Sequence, residues 1–290
     1  MAEYGWALSE VTQVKAKHEL NEDPDQRIAA VQAVRKLIPS QSEIAFLRSD
    51  DAFILRFLRA RKFDVTLAFN LYIQYFQYRQ RNKSLFRSFN ASETGIKQAL
   101  LDGFPGVLPQ PDQHGRRILI IFTANWDHWR YSLVSIYRAI LLSLERLLEE
   151  EETQVNGFVI IVDWTEFSFK QSSHLNPKLL KLIIEGLQIF MHGNNMTTLH
   201  SHIHRDILPA ELGGSGPPYN NEFWAKQLIG DENFSFSDKH IFWPRHNEEP
   251  CSNSSPIRAH RSETCPTKLH REQHGRPSIT ELDEDFFLSE

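Results

Sequence analysis

Cysteine is nearly absent: the chain holds two, Cys251 and Cys265, both in a polar stretch near its end. No disulfide framework can hold a core together, and a reducing compartment is expected. Long apolar runs are missing too, none approaching the roughly 18 residues of a membrane span, and no basic start followed by an apolar stretch opens the chain. A cytoplasmic protein with peripheral membrane contact is expected. There is no excess of positive charge, since 32 Lys and Arg stand against 37 Asp and Glu for a net charge of −5. Binding nucleic acid in bulk needs a basic field over the phosphates, so that class is set aside and any anion contact must be local. Catalytic signatures are absent as well. The sequence has no Gly-x-Ser-x-Gly elbow, phosphate-cradling Gly-rich loop with Lys, Gly-x-Gly-x-x-Gly turn or His-Glu-x-x-His helix. These absences weigh against an enzyme, and no cofactor is expected.

What is present is an α/β grammar. The run Gly157-Phe158-Val159-Ile160-Ile161-Val162-Asp163-Trp164 reads as a strand buried on both faces, and Arg117-Ile118-Leu119-Ile120-Ile121-Phe122 as another. Between them Leu133, Ile136, Tyr137, Ile140, Leu141, Leu144, Leu147 and Leu148 recur by threes and fours, predicting a helix over 132–150 with one apolar face. A second helical pattern covers 177–187. Strand, helix, strand, helix is the order of an α/β layer.

Residues 1–48 are helical in pattern, with a break at Leu20 to Pro24 and a stop at Pro39-Ser40. Asp50 and Asp51 favour a helix start that turns Phe53, Ile54, Phe57 and Leu58 inward. Arg56 and Arg59 fall off that stripe and read as a solvated face. Arg61 instead ends the apolar face, where a guanidinium must snorkel, cap the last carbonyls or meet an anion. Asp64 then caps a helix with Leu67, Ala68, Leu71, Tyr75 and Phe76 inward. A domain boundary falls near residue 100, where Gly and Pro loops bracket Val107-Leu108.

Downstream, Ile189-Phe190-Met191 predicts a short third strand, 198–204 a helix, and Phe223, Trp224, Leu228 and Ile229 another. His200 and His204 share a face of the first, but no third ligand completes a metal set. Asp163 and Glu166 read as a strand-end turn rather than an acid/base pair. From 247 to 290 the composition is too polar to offset the entropy of ordering, so a disordered tail is expected, ending in the acidic-aromatic Leu282-Asp283-Glu284-Asp285-Phe286-Phe287-Leu288.

Five stretches resemble the CRAL-TRIO lipid-binding family: 50–63 around Phe57-Leu58-Arg59-Ala60-Arg61, Asn125-Trp126-Asp127, 152–157, His192-Gly193-Asn194-Asn195 and 207–214. Their order and spacing hold from about residue 10 to about 230, and the pattern is most similar to the clavesin branch. The resemblance implies an N-terminal helical region over 1–100 and a mixed-sheet lipid-binding domain flanked by helices over 101–246. It implies a non-catalytic protein that binds a phosphoinositide, with phosphatidylinositol 3,5-bisphosphate expected. It further implies peripheral association with endosomes, the trans-Golgi network and clathrin-coated vesicles, with clathrin and adaptor proteins as partners. Arg61 matches a headgroup-contacting arginine, with Arg56, Arg59 and Lys62 as weaker candidates. Tyr137, Ile140, Leu144, Ile161 and Leu187 match the lipid pocket. An adaptor acting through its acidic-aromatic tail without carrying lipid is the alternative.

The resemblance breaks at one place. After Gln188 the family pattern calls for a strand, a gate helix and a basic stretch, whereas here Gln188 runs straight into Ile189-Phe190-Met191-His192. About ten acyl methylenes left uncovered would forfeit roughly 8 kcal/mol at about 0.8 kcal/mol each. Impaired lipid retention and an incomplete sheet are therefore expected.

Overall fold

The computed structural model describes residues 8–173, 177 and 197–230. The helical N-terminal region starts with α1 (Glu10–Leu20), capped by Ser9, whose side chain accepts from the Thr12 amide. Next come α2 (Arg27–Leu37), α3 (Asp51–Ala60) and α4 (Val65–Arg81). As the acidic stretch predicts, the Asp50 carboxylate accepts from the Phe53 amide at 3.0 Å, and Asp64 caps α4 through the Leu67 amide. Phe53, Ile54, Phe57 and Leu58 of α3 pack with Ala68, Phe69, Tyr72 and Phe76 of α4 and with Val31 and Val34 of α2. Phe53, Phe57, Tyr72 and Tyr75 interlock edge to face, with centroids 5.1 to 6.1 Å apart. Leu67, expected inward, is 51% exposed, and Phe69 and Tyr72 take the core positions. Apolar residues run nearly all round α4, so spacing alone left its phase open.

Short helices α5 (Lys83–Phe86) and α6 (Thr94–Leu101) lead to β1 (Gly106–Val107), β2 (Arg117–Phe122), α7 (Leu133–Leu147), α8 (Glu151–Asn156) and β3 (Phe158–Asp163). After them come α9 (Phe169–Ser172), α10 (Thr197–His202) and α11 (Asn221–Gly230). The described sheet is mixed, in the order β1-β2-β3. β1 runs antiparallel to β2, with Gly106 opposite Ile120, while β2 runs parallel to β3 from Arg117 opposite Phe158 to Phe122 opposite Asp163. A parallel pair needs a long crossover, which α7 and α8 supply.

β2 is the sheet's dry centre, its Ile118, Leu119 and Ile120 fully buried. β3 departs from expectation: every residue from Phe158 to Asp163 is half-buried, not buried on both faces. Among the described residues β3 pairs with β2 alone, which leaves its far side without a described strand. One sheet face, Ile118, Ile120, Phe122, Val159 and Ile161, packs under Leu199, Ile203, Leu208 and Leu212. Gly214 lets that cover close: a Cβ there would lie 1.9 Å from the Leu208 carbonyl oxygen. Of the expected helix at 177–187 only residue 177 is described, and the strand at 189–191 and the tail from 247 lie outside the described residues. No helix among the described residues is long and apolar enough to cross a membrane.

Candidate functional site

Three arginines within six residues of α3 and its end have different fates. Arg59 is 1% exposed. Its Nε and one terminal nitrogen donate to the two Glu22 oxygens, both at 2.9 Å, and it reaches Glu151 at 3.0 Å and the Gln154 side-chain oxygen at 2.8 Å. Arg27 joins Glu22 from the other side at 2.8 Å. Arg56, 7% exposed, donates to Glu145 at 3.3 Å and to Glu149 at 2.9 Å, with its guanidinium 4.6 Å from the centre of the Phe53 ring. The expected solvated face is therefore wrong for both. α3 packs against α2 and α4 on one side and against α1 and α8 on the other, so its off-stripe residues face protein.

The Arg56 cluster is balanced in charge. Arg48 donates to Glu149 at 2.8 Å and to Asp50 at 2.7 Å, while Arg79 pairs with Glu145, which also accepts from the Tyr75 hydroxyl at 3.0 Å. Burial pushes the Glu149 carboxyl up, but Arg48 and Arg56 beside it outweigh burial and hold it below the usual carboxylate range. Burial, with the Glu145 charge next to it, pushes the Tyr75 phenol far up, so it stays a donor. Such groups are committed to one another. As weaker headgroup candidates, Arg56 and Arg59 are corrected to structural roles: their guanidiniums are enclosed by glutamates.

Arg61 and Lys62 are both exposed. Arg61 caps α3, and its guanidinium donates to the adjacent Ala60 carbonyl at 3.0 Å. Lys62 turns back in the left-handed conformation, with φ of 50°, and its carbonyl accepts from the Asn21 side chain at 3.4 Å. Among the described residues no carboxylate pairs with Arg61.

Of the pocket candidates, the structure gathers three on α7. Tyr137 is 9% exposed, and its hydroxyl shares a 2.9 Å hydrogen bond with that of Tyr78. Ile140 and Leu144 continue its side of the helix and are half-buried. The buried side of α7 carries Ala139, Leu142, Ser143 and Leu147, with Ser143 accepting from the Trp224 indole at 2.8 Å. Ile161 belongs instead to the cluster beneath α10, which contains no residue of α7. Leu187 lies outside the described residues.

Chemistry-bearing residues elsewhere have structural partners. The His200 ring meets the Leu212 carbonyl at 3.0 Å, and no group able to hold a metal ion occurs among the described residues. Asp163 accepts from the Thr165 amide at 2.9 Å, the strand-end turn expected of it. Spacing gave no signal for Trp129, in the loop after β2, or for Phe169, the first residue of α9, which are 83% and 89% exposed.

Comparison with known proteins matches the CRAL/TRIO domain to residues 101–192 and the CRAL/TRIO N-terminal domain to residues 7–74. Clavesin-2 of Homo sapiens is 45% identical over 303 aligned residues, covering 92% of this chain and 90% of that protein. Clavesin-1 of Rattus norvegicus is 44% identical over 320, covering 94% and 90%, and clavesin-1 of Xenopus laevis 47% over 281, covering 82% and 85%. Since 92% of 290 residues is about 267, about 36 of the 303 positions aligned with human clavesin-2 have no counterpart here. Helical region, mixed sheet and relatives agree: the chain belongs to the CRAL-TRIO family, whose members are non-catalytic lipid-binding and transfer proteins, and is closely related to clavesin-1 and clavesin-2.

Proposed function

We propose that this chain binds a phosphoinositide headgroup, phosphatidylinositol 3,5-bisphosphate first among candidates, through Arg61 with Lys62 beside it. The observation that carries the reading is the contrast along α3. Arg56 and Arg59 are enclosed by glutamates, whereas Arg61 is exposed and, among the described residues, its guanidinium bonds only to a neighbouring carbonyl, leaving most of its donors for a phosphate. An acyl chain would lie along Tyr137, Ile140 and Leu144, two of which keep apolar surface uncovered. The work this fits is peripheral: endosomal-lysosomal and trans-Golgi traffic, with clathrin and its adaptors as partners.

Retention of the lipid is proposed to be weak. Supporting this are the roughly 36 positions aligned with human clavesin-2 that have no counterpart here, the end of the CRAL/TRIO match at residue 192, just past the junction at Gln188, and the half-buried β3. Flotation with phosphatidylcholine vesicles, with and without phosphatidylinositol 3,5-bisphosphate, tests both parts. The phosphoinositide should strengthen binding, and Arg61→Ala should remove about tenfold or more of that gain. An Arg61→Ala protein that keeps the whole gain would refute the headgroup assignment. Tight, saturable extraction of the lipid by the purified chain would refute weak retention.

A further inference from the structure

We infer that the chain has a second membrane contact, an aromatic platform formed by Trp129, Trp164 and Phe169 at the C-terminal ends of β2 and β3, which seats in the interface of a zwitterionic bilayer. The inference rests on the peripheral membrane reading above but not on Arg61 or any phosphoinositide.

β2 and β3 are parallel, so the loops that follow them leave the same end of the sheet. They are fastened together there. The Thr123 hydroxyl donates to the Asp163 carbonyl at 2.8 Å, and the buried Gln171 side chain donates to the carbonyls of Thr123 and Trp126 at 3.1 and 2.8 Å. Ser168 and Gln171 also close a capping box that starts α9. On this braced base Trp129 is 83% exposed, Phe169 89% and Trp164 45%. Trp126, three residues before Trp129, is buried with its indole donating to the Tyr131 carbonyl at 3.2 Å, so outward placement is not general to these segments.

Single exposed apolar side chains need no explanation. Three large aromatics on the two fastened segments that follow β2 and β3 do, because each leaves a large apolar surface in water. Side chains this exposed suit insertion between lipid headgroups, where aromatic rings are favoured. Charge selects the kind of surface. The Asp127 carboxylate accepts from the Trp129 amide, the Asp163 carboxylate from the Thr165 amide, and Arg130 pairs with Asp102 at 3.2 Å. With Arg130 paired to Asp102, the charges left beside the rings are Asp127, Asp163 and Glu166 against Lys170, a net negative set that disfavours an anionic surface and suits a zwitterionic one.

Arg61 is remote from the platform. It follows α3, which packs on α8, and α8 leads into the N-terminal end of β3, whereas the platform lies past the other end. Six strand residues separate the two ends by about 20 Å, so one headgroup cannot serve both.

The test is flotation of the full chain on pure phosphatidylcholine vesicles at low and high salt, with Trp129→Ala/Phe169→Ala and Arg61→Ala compared. The double variant should lose about a hundredfold in partition, roughly tenfold per ring. Salt should change little, and Arg61→Ala should bind these vesicles like wild type. Far-UV circular dichroism and thermal melting of the double variant should match wild type, because both side chains are exposed. Wild type that ignores phosphatidylcholine, a double variant that binds undiminished, or binding abolished by salt would each overturn the inference. Loss of the phosphoinositide gain in Arg61→Ala is read on separate vesicles, so either proposal can fail alone.

Discussion

Arg59→Met removes a guanidinium whose side chain is fully buried against carboxylates that are 1% and 7% exposed. The substitution keeps much of the volume, so little of its effect is a packing loss. What remains is electrostatic. Glu22 keeps Arg27, but Glu151 loses its contact at 3.0 Å and Gln154 a donor at 2.8 Å, in a site with almost no water. Breaking a buried pair from one side costs about 3–5 kcal/mol. For a domain of this size each kcal/mol moves the midpoint by roughly 2–4 °C, so the melting temperature should fall by about 10 °C. Arg59→Lys should recover part of that, since an ammonium restores the charge but not the fork that meets both Glu22 oxygens. Arg61→Ala, two residues on and exposed, is the control and should stay within about 0.5 kcal/mol. Thermal melts followed by circular dichroism decide the matter. An Arg59→Met protein that melts with wild type would show that the cluster is solvated, and the structural role assigned to Arg59 would go with it.

Acid should loosen the same region. Glu149 has a depressed folded pKa, so its contribution is complete above the ordinary glutamate value of about 4.3 and is lost as pH falls through the lower folded value. Glu149→Gln should therefore be less stable at neutral pH and show a flatter loss of stability in acid, measured by urea unfolding at several pH values; an unchanged slope would count against the pairing with Arg48 and Arg56. Gly214→Ala should lower stability by more than about 2 kcal/mol, because the new methyl meets backbone oxygens of Leu208 and Arg205 rather than a side chain that can move. A Gly214→Ala urea midpoint equal to wild type would show that the chain does not cross itself there.

Much of the architecture was legible because it rests on local rules. Asp50 and Asp64 announced helix starts through side-chain oxygens that reach amides of the first turn. Residues 117–122 and 158–163 announced strands by unbroken β-branched and aliphatic runs. β1 escaped notice because two residues carry no periodicity, and only its register against Leu119 and Ile120 makes it a strand.

The candidate site divides along the same line. That Arg61 closes an apolar face follows from counting along α3, a property of one helix that its neighbours do not change. Whether Arg56 and Arg59 meet water or carboxylate depends on Glu145 of α7, on Glu149, on α8 and on Glu22, residues 37 to 95 positions away along the chain. Chain order contains no such distance. Likewise α7's spacing aligned Tyr137, Ile140 and Leu144, but Ile161 of β3 packs into the cluster with Leu199 and Ile203, which contains no residue of α7. The sequence by itself determined which elements form and where each begins. Tertiary packing decided which charges are buried, because burial depends on what comes to lie on the far side of a helix.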